Sequence, residues 1–98
     1  MAGIGPGPGG GNTVLNLSVA TVVKATPGTL YSVSVTTGGS AAGGAYDTTT
    51  TSGIGAANLI GLIADAVTTQ PLNFNAWPCL AGIVIVPPTG GVVSVAFT

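Results

Sequence analysis

Apolar and polar residues alternate with a period of two along much of this chain. In Leu30-Tyr31-Ser32-Val33-Ser34-Val35-Thr36, Tyr31, Val33 and Val35 fall on one side and Ser32, Ser34 and Thr36 on the other, the spacing of a half-buried β-strand. The same period runs from Val14 through Leu17 and Val19 to Val22, Val23 and Lys24, predicting strand there too. It returns in Leu72-Asn73-Phe74-Asn75-Ala76-Trp77, which Pro78 is expected to stop, and in Val93, Val95 and Phe97 set against Ser94, Ala96 and Thr98. Gly82-Ile83-Val84-Ile85-Val86 has no polar position at all, as a strand covered on both faces requires. Pro87-Pro88-Thr89-Gly90-Gly91 then turns the chain, so the last two strands are expected to form a hairpin.

The intervening segments carry turn chemistry. Pro27-Gly28 marks a turn, residues 38–44 are a glycine-rich connection, and Ala45 to Thr51 is a β-prone segment ending at Ser52-Gly53. Asn58 to Ile63 could place Ile60, Ile63, Ala64 and Val67 on one side of a short helix, but Gly61 and the β-branched isoleucines favour a strand. Seven or so short strands with few helix formers predict an all-β fold: an antiparallel β-sandwich or jelly-roll-like barrel with an extended Gly/Pro N-terminal arm. The arm is residues 1–12, where Gly5-Pro-Gly-Pro-Gly-Gly-Gly11 has no side chain to anchor a core, and the single body is 13–98. Exposed sheet edges are usually guarded by Lys or Pro. Val92 to Phe97 has neither, so this strand is expected to be covered, central or paired with another subunit.

Composition sharpens the picture. Of 98 residues only Lys24, Asp47 and Asp65 are charged, 3% of the chain against roughly 25% in ordinary domains, and the mean hydropathy is +0.71. The surface must be made of Thr, Ser, Gly and apolar groups. A body this small usually needs a staple; the single Cys79 excludes an internal disulfide and His is absent, which leaves oligomerisation. One cation gives no footprint for nucleic acid. The first residues have neither the basic nor the apolar region of a signal peptide. The apolar run from Ile54 to Ala64 is broken by Asn58 and falls short of the roughly 20 residues of a membrane helix. Synthesis in a cytoplasm and no membrane partner are the expectations.

The catalytic inventory is thin. Without His, Glu or Arg the chain lacks a Ser-His-Asp triad, a Cys-His pair, a paired-Glu glycosidase site and the usual zinc sites. Asp47 and Asp65 could act as an acid/base couple only if folding brought them together; otherwise they are turn or capping residues. Cys79 has the composition around it of a buried structural thiol, and Lys24 that of a solvated charge or an ion-pair partner. Gly5 to Gly10 matches G-x-G-x-x-G without the flanking strand and helix. Asn16-Leu17-Ser18 is a glycosylation sequon inside a predicted strand, and an oxygen-only calcium site built from Asp47, Asp65 and nearby carbonyls is conceivable but weak with two carboxylates. Tyr31, Tyr46, Phe74, Trp77 and Phe97 could stack on sugars or bases, although five aromatics in a body of this size ordinarily serve its core or a subunit contact. No enzyme activity, cofactor or metal is expected.

Gly28-Thr-Leu-Tyr31-Ser-Val-Ser-Val35, Ala45-Tyr46-Asp47, Trp77-Pro78-Cys79-Leu-Ala-Gly-Ile-Val-Ile-Val86-Pro and Gly91-Val-Val-Ser-Val-Ala-Phe97 form a framework that resembles the small, uncharged virion structural proteins of tailed bacteriophages, similar in character to capsid decoration or cement proteins. The resemblance spans residues 28–98. It implies a non-enzymatic β-rich protein of the virion that binds the outside of a phage head as a homo-oligomer, commonly a trimer, and bridges major capsid protein subunits. Ile4, Pro6 and Pro8 of the arm, together with Tyr46 and Trp77, are the candidate capsid or subunit contacts. A tail, neck or head-fibre component, or an adhesin-like module that binds glycans or a host surface, is the alternative. That alternative calls for an exposed aromatic such as Trp77 or Tyr46 in a groove.

Overall fold

A computed structural model describes residues 4–6, 12–68 and 70–98. Among the described residues nine strands follow one another: β1 (Ile4–Pro6), β2 (Asn12–Leu17), β3 (Thr21–Lys24), β4 (Gly28–Thr37), β5 (Gly43–Tyr46), β6 (Leu59–Ile63), β7 (Leu72–Cys79), β8 (Ile83–Val86) and β9 (Val92–Phe97). They build two antiparallel sheets, a five-stranded one in the order β1-β2-β9-β4-β7 and a four-stranded one in the order β3-β8-β5-β6. The fold is an all-β sandwich. Its eight principal strands pair from the outside inward, β2 with β9, β3 with β8, β4 with β7 and β5 with β6. The chain therefore behaves as one long antiparallel ribbon wound over itself. No helix among the described residues is long and apolar enough to cross a membrane.

The core lies between the sheets. Val14, Leu17, Leu30, Val33, Val35, Val93, Val95 and Phe97 from the larger sheet meet Val23, Ala45, Ile63, Ile83 and Ile85 from the smaller one, with Ile60, Leu72 and Phe74 partly buried against them. In β8 Val84 is as fully buried as Ile83 and Ile85, in keeping with a strand apolar on both faces. β9 is the middle strand of its sheet, between β2 and β4. It has no exposed edge to guard, and its freedom from charge follows.

Several expectations from the sequence are corrected. The run from Val14 to Lys24 is not one strand: β2 belongs to one sheet and β3 to the other, with residues 18–20 crossing between them. β8 and β9 do not form a hairpin either, since they too lie in different sheets. Their connection is an arch in which Pro88 is fully buried, Gly91 N donates to Pro88 O at 2.7 Å and Gly90 takes φ +78°, the positive φ that a type II turn needs. Prolines without an N–H cannot close a tight hairpin ladder, and burying Pro88 makes the arch part of the core lid.

The β-prone segment is also shifted: β5 covers Gly43–Tyr46, and residues 47–58 are loop. Gly43, placed in a connection by its composition, is the first residue of β5 and pairs with Ile63; a Cβ there would collide with Val86 O of β8, so the strand needs glycine at this position. Pro78 does not end β7, which runs to Cys79; β7 is an edge strand, where a missing N–H costs no ladder bond. Tyr31 does not share the core face with Val33 and Val35. Leu30 pairs with Phe97 and Ser32 with Ala96, so Tyr31 is the extra residue of a bulge, and it is exposed while Leu30 is buried. For residues 58–63 the strand reading holds over Leu59–Ile63, with two 3-10 turns, Thr51–Gly53 and Ala56–Asn58, ahead of it.

Within the arm, β1 pairs with β2 through Ile4↔Val14, Gly5↔Thr13 and Pro6↔Asn12. Asn12 begins β2 rather than ending the arm. Pro8 lies outside the described residues.

Candidate functional site

One end of the sandwich is organised by Asp47. It follows the last residue of β5, and its carboxylate accepts backbone hydrogen bonds from three successive residues of the β7–β8 connection: Leu80 N to Oδ2 at 2.9 Å, Ala81 N to Oδ1 at 2.8 Å and Gly82 N to Oδ1 at 3.3 Å. Gly82 permits this approach. A Cβ on it would lie 2.6 Å from Lys24 O and 2.7 Å from Thr48 O, so any side chain would drive the three amides away from the carboxylate. Partial burial by itself would raise the Asp47 pKa, but the bonds from Leu80, Ala81 and Gly82 outweigh it and hold the carboxyl below its ordinary value.

Asp47 also closes the loop that follows it, because its N–H donates to Asn58 O at 2.8 Å. Residues 47–58 form a compact loop with tied ends. Inside it, Thr50 Oγ1 accepts from Gly53 N at 3.1 Å, Asn58 Oδ1 accepts from Gly55 N at 3.0 Å and Asn58 Nδ2 donates to Gly53 O at 2.8 Å. The Gly55 donor and the Gly53 acceptor together fix which way the Asn58 amide faces.

Against this loop lies an open depression of about 290 Å³ lined by Asp47, Ala57, Asn58, Leu59, Ile60 and Trp77. It occupies the side where β7, the edge of one sheet, comes up to β6, the edge of the other. Trp77 stands opposite Leu30 in the β4–β7 ladder and is 47% exposed. Just before it, β7 is distorted: residues 74–76 face only Tyr31, Asn75 and Ala76 take φ 55° and 54°, and Asn75 N donates to Asn73 Oδ1 at 2.7 Å. This distorts an edge that a neighbouring strand would otherwise extend. Leu62 in β6, 68% exposed, and Leu80 just after β7, 81% exposed, leave further apolar side chains at the surface along these two edges.

The structure brings some of the sequence candidates together. Tyr46 is opposite Leu59 in the β5–β6 ladder, and Leu59 lines the depression with Trp77, so both aromatics border the same corner. Ile4 and Pro6 are in β1, on the outer edge of the other end of the larger sheet. Asp47 and Asp65 lie beyond opposite ends of the β5–β6 ladder, Asp47 next to the Tyr46↔Leu59 pair and Asp65 past the Gly43↔Ile63 pair; Asp65 O instead accepts from Gly39 N at 2.8 Å. The Lys24 side chain lies over Gly28. Cys79 is buried, and burial first, then the Asp47 charge, push its thiol pKa up to about 11, far from a nucleophile's. Phe97 is in the core and Phe74 packs against it, whereas Tyr31 and Trp77 are exposed. Among the described residues no group of three or more His, Cys, Asp or Glu side chains could hold a metal ion.

Asn58 was not singled out by the sequence. The available signal was an amide directly before an apolar strand and three residues after Gly55, a capping position. Comparison with protein-family models, with curated proteins and with solved structures gives no match to this chain.

Proposed function

We propose that this chain is a non-enzymatic virion structural protein, a capsid decoration or cement protein that binds the outer surface of a phage head and stabilises contacts between major capsid protein subunits. The observation that carries this reading is a nearly uncharged sandwich with an apolar band, Leu59, Leu62, Trp77 and Leu80, left at its surface along one side. Scattered exposed apolar residues are ordinary, but exposed apolar side chains carried on two neighbouring strand edges suit an interaction surface. The wound eight-strand ribbon fits a jelly roll, an architecture that viral capsid and lectin domains use. A homo-oligomer, trimeric as the resemblance implies, would reinforce the small body. Its arm residues Ile4, Pro6 and Pro8 would engage neighbouring subunits by backbone pairing. The test is light scattering and co-sedimentation with capsids of the encoding virus, for the full chain and for a chain lacking Met1 to Gly11. An oligomer that sediments with capsids and loses affinity without the arm is expected; a stable monomer that ignores capsids overturns the reading.

A second reading has its own observation. A tail, neck or fibre module that binds a host surface calls for an aromatic in a groove, and Trp77 stands half exposed in the depression beside Asp47 and Asn58.

A further inference from the structure

The depression beside Trp77 has a chemistry that narrows what could fill it. Trp77 offers an aromatic surface to an apolar face. Asp47 Oδ2 accepts one hydrogen bond among the described residues, from Leu80 N. A carboxylate has about four acceptor positions, so Oδ2 has one left for a hydroxyl donor. Asn58 Nδ2 gives one N–H to Gly53 O, and its other N–H has no partner among the described residues. Both side chains are held at their remaining atoms by backbone groups. An acceptor and a donor are thus fixed before any ligand arrives, which removes an ordering cost from binding.

The electrostatics exclude one large ligand class. Lys24, the chain's one cation, is not among the residues around the depression, and Asp47 is. An anionic ligand would meet a carboxylate with no compensating charge. A ligand with hydroxyl donors, hydroxyl or ring-oxygen acceptors, an apolar face and no charge meets every requirement. At about 290 Å³ the space is at the lower end of the roughly 300–1,000 Å³ of small-molecule sites, which suits one ring.

We propose that this depression is a saccharide site for a neutral pyranose, with the C–H face of the sugar stacked on Trp77, one hydroxyl donating to Asp47 Oδ2 and a neighbouring oxygen accepting from Asn58 Nδ2. The proposal rests on the host-surface reading and supplies its ligand class.

Trp77 is the only tryptophan, so its fluorescence reports on this site alone. The experiment titrates the full chain with the methyl glycosides of glucose, galactose, mannose and N-acetylglucosamine. The expected result is a saturable change in emission with at least one of them, half-complete at about 0.1–10 mM, the range of a weak single-ring site. Calorimetry on Trp77→Ala and Asn58→Ala should then show affinity weakened at least tenfold, and Val67→Ala, at an exposed position beyond the far end of the β5–β6 ladder, should bind as the unaltered chain does. Circular dichroism melts keep a folding defect from passing as lost binding; if either depression variant fails to fold, protection of the Trp77 and Asn58 side-chain resonances by sugar in the unaltered chain decides in its place. No saturable response to any of the four sugars overturns the proposal, as does binding that Trp77→Ala leaves unchanged. Attachment of the whole chain to host cells is measured in parallel. If attachment persists where the sugars fail, the ligand assignment falls and the host-surface reading stands; if both fail, that reading falls too.

Discussion

At the scale of single residues, Asp47 carries more than any other side chain. Its three amide partners come from a segment more than thirty positions away in sequence, so the carboxylate ties the β7–β8 connection to the end of β5. Asp47→Asn keeps the shape but sets an NH2 group against an N–H donor, and a loss of about 1–3 kcal/mol is expected in denaturant melts. The pH dependence has a definite sign. The folded pKa lies below the unfolded one, so the contribution is complete above the unfolded value of about 4 and is lost as pH falls through the folded pKa. Stability of the unaltered chain should decline below about pH 4, and the Asn variant should decline less. Cys79 acts at the other extreme. Its folded pKa of about 11 exceeds the 9.0 of a free thiol, so its contribution is complete below pH 9 and is lost as pH rises toward 11. A thiol reagent at pH 8 should modify Cys79 only at the rate of unfolding; rapid modification of the native chain would contradict its burial. The sequence made both residues visible as a turn acid and a buried thiol. It gave no sign that they are neighbours, because their proximity depends on which loops meet at one end of the sandwich.

At the scale of strands, periodicity made the strands legible and left their partners hidden. An alternating pattern says which residues share a face, but the face is the same whether the next strand lies beside it or across the core. That is why Val14 to Lys24 looked continuous and why β8 and β9 looked like a hairpin. Bulges add a second source of error, since one extra residue moves the following side chains to the opposite face. The bulge at Tyr31 gives a direct test. Leu30→Ala should cost about 2–5 kcal/mol, as for other fully buried large residues, while Tyr31→Thr should change stability by no more than about 0.5 kcal/mol. Unbroken alternation through β4 would give the reverse order. The candidate site has the same history: Trp77 was visible as an aromatic, but the depression depends on β6 and β7 being the two sheet edges on one side, which no local pattern encodes.

At the scale of the whole molecule, the scarcity of charge has a consequence for how any partner is held. Attraction between charged surfaces is screened over about 8 Å at physiological ionic strength and over about 3 Å at 1 M, so charged contacts weaken as salt is added. This chain has one cation and two carboxylates. Asp47 is already engaged by backbone amides, and Asp65 lies beyond the far end of the β5–β6 ladder. The apolar band of Leu59, Leu62, Trp77 and Leu80 has a single cation toward its Leu80 end, Lys24, whose side chain lies over Gly28 opposite Cys79, and one charge steers an acidic partner only weakly. Binding through that band should therefore keep its affinity within about threefold between low salt and 1 M sodium chloride, and sulfate should strengthen it by favouring apolar burial. The thermal midpoint should be equally indifferent to sodium chloride. Co-sedimentation with capsids across a salt series measures the first and scanning calorimetry the second. Attachment that falls tenfold or more as salt rises would mean that the partner grips Lys24, Asp47 or Asp65, and the apolar band would then not be the contact. Leu62→Asp and Leu80→Asp, both at exposed positions where folding should tolerate them, separate these cases: each should abolish attachment through the band and leave a charge-held contact largely intact.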